Sequence, residues 1–179
     1  MSDTPVDTAI RANIALLNQG EQFLEDMPDE IYAEAEPPVF PSSIGTHLRH
    51  VLDHFDSLIA GLKSDFVDYH SRQRDPGTEK NPQRARTRVE SLRENLLSSL
   101  SQSEQISSDL LLRVSSEDAN HSIPTTATRE LYFNVSHTIH HFGMIAMIAR
   151  QKGWPVDDTF GIAPSTLVHR RSQQSQATQ

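Results

Sequence analysis

The sequence predicts an all-α fold, a four-helix bundle with long connections. Three observations carry this reading. Four stretches place apolar residues at helical spacing, on one face each. Two of the four open with a capping residue followed directly by proline, Thr4-Pro5 and Asn81-Pro82. The chain of 179 residues also has only 7 Gly and 6% aromatics, a composition that suits helices packed on one core.

The first helix opens at Thr4-Pro5, with Asp7 in the first turn where the helix dipole favours an anion. Ile10, Ile14, Leu17 and Leu24 share its inner face, and Met27-Pro28 marks its end. Pro28, Pro37, Pro38 and Pro41 then predict a partly extended loop over 28–41. Ser42 or Ser43 caps the second helix, which runs to about Lys63 with Ile44, Leu48, Val51, Leu52, Phe55, Ile59 and Leu62 inward. Residues 64–80 read as a long polar connection, and structureless connections of that length are often functional.

The third helix starts at Asn81-Pro82 and carries Ala85, Val89, Leu92, Leu96 and Leu100 on one face. Its Arg84, Arg86, Arg88 and Arg93, interleaved with Glu90 and Glu94, read as a solvated face. Over 104–125 the pattern is ambiguous, because Leu110-Leu111-Leu112-Arg113-Val114 suits a short strand or an apolar plug. Pro124 with Thr125 or Thr126 starts the fourth helix, and Gly153 stops it after Lys152. Residues 1–171 form one domain in this reading, with Trp154, Pro155 and Phe160 packed back on the bundle and 172–179 a disordered tail.

Composition narrows the function. A net charge of −8 opposes phosphate backbones, so no nucleic-acid partner is expected. There is no apolar run of about 18 residues and no signal-peptide pattern, so neither a membrane span nor export is expected and the location reads as cytoplasmic. With no Cys, a thiol nucleophile or a cysteine-held cluster is excluded, and any metal must sit on His, Asp or Glu. No nucleophile elbow, phosphate-binding glycine loop or H-E-x-x-H pair is present.

The strongest chemical signal is histidine clustering. Of nine His, six fall in two windows, His47-Leu48-Arg49-His50-Val51-Leu52-Asp53-His54 and His137-Thr138-Ile139-His140-His141. Residues at i and i+4 lie one above the other on a helix, so His137 and His141 can aim two imidazoles at one ion. A third nitrogen from the second helix completes a set that leaves a coordination position open. Periodicity places His47 and His54 nearer the apolar stripe than His50, and His140 is an alternative to His141. His70, His121 and His169 stand in polar segments and read as surface residues.

These windows resemble the DinB / YfiT-like superfamily of metal-binding four-helix bundles, whose members carry H-hydrophobic-x-D in the second helix and H-x-x-x-H in the fourth. His50-Val51-Leu52-Asp53 and His137-Thr138-Ile139-His140-His141 match, in order, within about residues 40–152. The segments Ser43–His50, Val67–Arg74 and Phe160–Thr166 resemble an uncharacterised DinB-like subgroup. The resemblance implies His50, His137 and His141 as metal ligands for one divalent ion, Zn, Ni or Fe.

It also implies a metal-dependent transfer of a low-molecular-weight thiol to an electrophilic substrate, with a non-catalytic metal-binding or stress-associated bundle as the alternative. Tyr69 and Arg72, in the long second connection, are the candidate substrate-binding residues, with Arg74 a second candidate for a substrate carboxylate. The competing reading of the arginines is surface charge paired with Asp68 or Asp75. The apolar run Leu110-Leu111-Leu112 suggests a homodimer that hides it.

Overall fold

The computed structural model describes residues 4–71, 73–115 and 120–163, with 166–167, 169–170 and 172–173. Four long helices dominate: α1 (Pro5–Phe23), α3 (Ile44–Ser64), α5 (Pro82–Ser101) and α6 (Ala127–Gln151). Two five-residue helices, α2 (Asp29–Ala33) and α4 (Pro76–Lys80), lie in the connections before α3 and α5. Strands β1 (Phe66–Val67), β2 (Asp109–Ser115) and β3 (Asn120–Thr126) form one small sheet. α1 packs on α5 and α6, and α3 packs on the same two, so the helices stand at the corners of a square with α3 beside α6.

Local chemistry sets the helix starts. Thr4 and Asp7 form a capping box, each bonding the other's backbone N–H. Ser43, Asn81 and Thr126 accept from the N–H groups of Thr46, Arg84 and Arg129 and so cap α3, α5 and α6. The inner faces anticipated from spacing are buried, with Ile14 and Leu100 only partly covered at the margin.

Two buried asparagines fix the register of α1 against α6. Asn13 Nδ2 donates to the Ala9 and Leu131 carbonyls, and Asn134 Nδ2 donates to Asn13 Oδ1 at 2.9 Å. After α6, Phe160 returns to stack between Phe23 and Phe142, at 4.5 and 4.6 Å between ring centroids. Gly161, at φ 69°, lets the backbone lie on Phe142 and Gly143, where a Cβ would come within 2.8 Å of main-chain atoms.

The connections are more ordered than their composition suggests. Tyr32 on α2 is fully buried and donates to the Thr78 carbonyl of α4 at 2.6 Å, so both short helices close over the start of α3. Gly45 permits this, because a Cβ there would stand 2.0 Å from the Glu79 carbonyl oxygen. The ambiguous stretch is a hairpin: β2 pairs antiparallel with β3, and β1 joins β2 in parallel through Phe66–Leu111 and Val67–Leu112. Within it Leu110 is buried against the chain's own core, while Leu111 and Ile123 are each 45% exposed.

The arginine-rich face of α5 departs from expectation. It is not simply solvated. Arg88 bonds both Asp53 and Asp56 of α3, Arg93 bonds Glu21 of α1, and Arg86 lies near Glu21 and Glu90. These guanidiniums tie α5 to its two neighbours. The surface reading assigned by alternating charge missed them because a long Arg stem reaches across a helix seam while its own backbone stays outside.

Candidate metal centre

α3 and α6 run antiparallel, and their histidines meet in register. His137 Nε2 lies 3.1 Å from His50 Nε2, and His141 Nδ1 lies 3.2 Å from His47 Nδ1. His54, one turn beyond His50, stacks on His137 with centroids 3.9 Å apart. His50, His54 and His137 offer one nitrogen each within 4.8 Å of one another. His141 is next to this set, its ring 4.6 Å from His137 and 4.7 Å from His50.

The structure therefore gathers the three histidines named from the resemblance, His50, His137 and His141, and adds His47 and His54. Periodicity places both of these nearer the apolar stripe than His50, as alternatives to it, and the structure holds all three on the side of α3 that faces α6. His140 is exposed on the outer side of α6, with its ring 5.2 Å from that of His141. His70, His121 and His169 are exposed, as read.

The donor chemistry fits a divalent transition metal. Two nitrogens at about 2.0–2.1 Å from one tetrahedral ion stand about 3.3 Å apart, close to the observed inter-helix separations. A ligating imidazole must be neutral. Burial first, then the neighbouring His137, His47 and His140, pushes His141 down to about 3 from its ordinary 6.5. Burial and His140 likewise lower His47. Both rings are thus held in the form a metal takes.

Behind the histidines stands a second layer. Tyr69 stacks on His54 with centroids 4.8 Å apart, and its hydroxyl donates to Glu130 at 3.1 Å. Glu130 is fully buried and also accepts from Thr125 at 2.6 Å and from Arg129 at 2.7 Å. Burial and the Glu130 carboxylate push the Tyr69 phenol well up, so it stays a protonated donor. Phe133 packs on Tyr69 and His137 from the other side. Tyr69 is thus a wall of the site with its hydroxyl committed to Glu130. Glu130 itself was overlooked in sequence, although it stands at i−7 from His137 and so on the same face of α6.

The other sequence candidates are placed as follows. Arg72 lies outside the described residues. Arg74 is exposed; among the described residues Asp68 pairs with Arg113 at 2.8 Å and Asp75 with Arg84 at 2.9 Å. Asp53, the acidic end of the second-helix motif, bonds Arg49 at 2.7 Å and Arg88 at 2.8 Å. It anchors α3 within the bundle.

Among curated proteins, a segment of 58 residues is 36% identical to an FK506-binding protein 5 of Rhizopus delemar. That segment is 32% of this chain and 15% of that protein, so the match covers a short stretch of each. The family comparison covers the bundle itself: residues 17–145 match the model of the DinB superfamily. The match spans more than half of the chain and includes both histidine windows, and the chain belongs to the DinB superfamily.

Proposed function

We propose that this protein binds a divalent transition-metal ion between α3 and α6 and uses it to activate a low-molecular-weight thiol for transfer to an electrophile. The observation that carries the metal reading is the convergence of His50, His54 and His137 nitrogens within 4.8 Å, from two helices, with His141 adjacent. In the order of the motif His141 is the third ligand; in this arrangement His54 is equally placed to serve. A bound divalent ion would lower the pKa of a substrate thiol and favour its thiolate.

The chain's own residues account for the rest. A protein without Cys has no thiol to compete for that role. Tyr69, Phe133 and His54 stack into a wall that packs on the His137 ring and orients it. Glu130 holds Tyr69 in place through its hydroxyl.

The test is direct. Chelator-treated protein, reloaded with Zn, Ni or Fe(II), is presented with a panel of small thiols and a chromogenic electrophile. Metal-dependent consumption of one thiol, lost in His137→Ala, supports the reading. Metal binding without acceleration of any thiol leaves the non-catalytic bundle as the function.

A further inference from the structure

A cavity of about 280 Å³ opens where the start of α3 faces the last turns of α6. Phe40, Met144, Met147 and Ile148 line it together with His47. His47 joins it to the metal centre, because its Nδ1 lies 3.2 Å from His141 Nδ1. Among the described residues no Asp, Glu, Lys or Arg lines this cavity, on a chain whose net charge is −8. The cavity by Phe23 and Trp154, by contrast, carries Glu25, Asp26 and Asp157 in its wall.

Its walls are held in place. Phe40 exchanges two backbone hydrogen bonds with Glu36, at 2.8 and 2.9 Å. Glu36 in turn bonds Lys152, at the end of α6, at 3.1 Å, and the Lys152 side chain is only 4% exposed. The turn that carries Phe40 is thus pinned to α6. Opposite it stand two methionines, whose flexible thioethers fit themselves to apolar guests and to aromatic rings.

The one polar ring in the lining has a defined role. In the motif reading His141 is a metal ligand. With its Nδ1 turned to His47, Nε2 is the nitrogen left for an ion, so the neutral ring carries its proton at Nδ1. His47 accepts that hydrogen bond at Nδ1 and, itself neutral, keeps its own proton at Nε2. It is therefore an N–H donor belonging to the cavity, next to the metal centre but outside its ligand set.

We propose that this cavity holds the electrophilic substrate, and that the substrate is a small uncharged molecule with an apolar body, a single ring or short alkyl chain, and one carbonyl-type oxygen that accepts from His47 Nε2–H. This deepens the function proposed above and rests on it. The volume lies at the lower end of small-molecule sites, which excludes larger bodies. A charged group would shed water and find no counter-charge in the wall.

The test uses the zinc-loaded full chain and acetophenone, a stable stand-in for such an electrophile, with binding read by calorimetry. Acetophenone should bind about tenfold more tightly than benzylammonium, a cation of similar size that the acidic protein as a whole would favour. Met144→Trp, which fills the cavity, should weaken acetophenone about tenfold or more with zinc content unchanged. His47→Phe should erase the preference for acetophenone over ethylbenzene, about threefold to tenfold for one hydrogen bond. Acetophenone should also inhibit thiol transfer competitively against the electrophile and not against the thiol.

Circular dichroism checks folding, and Met147→Trp, at a position 53% exposed, serves if Met144→Trp does not fold. Unchanged binding in these variants places the probe elsewhere, such as the cavity by Trp154, and overturns the proposal. A preference for acetophenone that survives His47→Phe removes the assigned donor, and competition against the thiol alone gives the cavity to the other substrate; either overturns it. Protein that takes up no zinc, or transfers no thiol, sinks the underlying function instead, and acetophenone binding lost in Met144→Trp would then mark a ligand site unrelated to transfer.

Discussion

Replacing Asp53 by Asn should cost about 3 kcal/mol while leaving metal content unchanged. The side chain of Asp53 is 1% exposed, and those of Arg49 and Arg88 are 11% and 19% exposed. Removing the charge leaves two guanidiniums in low dielectric around a neutral amide, whose N–H₂ can accept from neither. Breaking a buried pair costs about 3–5 kcal/mol in general. The low end applies here because Arg49 keeps Glu79 and Arg88 keeps Asp56, both more exposed partners.

For a chain of this length, about 3 kcal/mol corresponds to a melting temperature lower by about 6–12 °C. Thermal unfolding followed by circular dichroism measures it, with zinc content taken on the same sample. The double variant Asp53→Asn with Arg88→Met should recover about half of the loss, since one of the stranded cations is then gone. A shift under about 2 °C would show that water screens the cluster and that Asp53 is not the anchor described. Loss of zinc in a fully folded Asp53→Asn protein would instead make this carboxylate part of the metal centre.

Three further outcomes follow from the geometry. Gly45→Ala should destabilise by about 3 kcal/mol, the upper part of the range for overpacking, because its Cβ meets the Glu79 carbonyl; equilibrium urea unfolding reads the change. In metal-free protein, His141 is held down to about 3 while the unfolded chain binds that proton near pH 6.5. The folded state's advantage is therefore complete above about pH 6.5 and is lost as pH falls toward about 3; melting curves across that window should flatten in His141→Asn. Zinc at 100 times its dissociation constant should add about 2.7 kcal/mol and raise the melting temperature, an effect sharply reduced in His137→Ala and abolished by chelator.

The sequence made the four helices readable because their signals are local. Thr4, Ser43, Asn81 and Thr126 cap helices through their own side chains, and the inner faces repeat at the helical period. The hairpin was not decided by the same logic. Leu110-Leu111-Leu112 has no alternation, and its strand identity depends on pairing with Thr125, Pro124 and Ile123. The order in residues 73–80 also comes from partners elsewhere, such as Tyr32 holding Thr78.

The site was legible in its composition and less so in its pairing. Both histidine windows converge, but which ring faces which depends on the register of α3 against α6. That register is set by long-range packing and leaves no local mark. Glu130 shows the same limit: a glutamate in a helix reads as solvent-facing until Tyr69, Thr125 and Arg129 surround it.

The Asn13–Asn134 contact acts at a distance from the histidines. It joins α1 to α6 through the bundle interior, and its hydrogen bonds tolerate no axial slip of a residue's rise, about 1.5 Å. A slip of that size in α6 would also carry His137 and His141 out of step with α3. The amide pair thus works as a vernier stop, holding the scale on which imidazoles from distant parts of the chain come level. Variation at Asn13, a residue of a helix that carries no histidine, would then disturb the spacing of the α3 and α6 histidines.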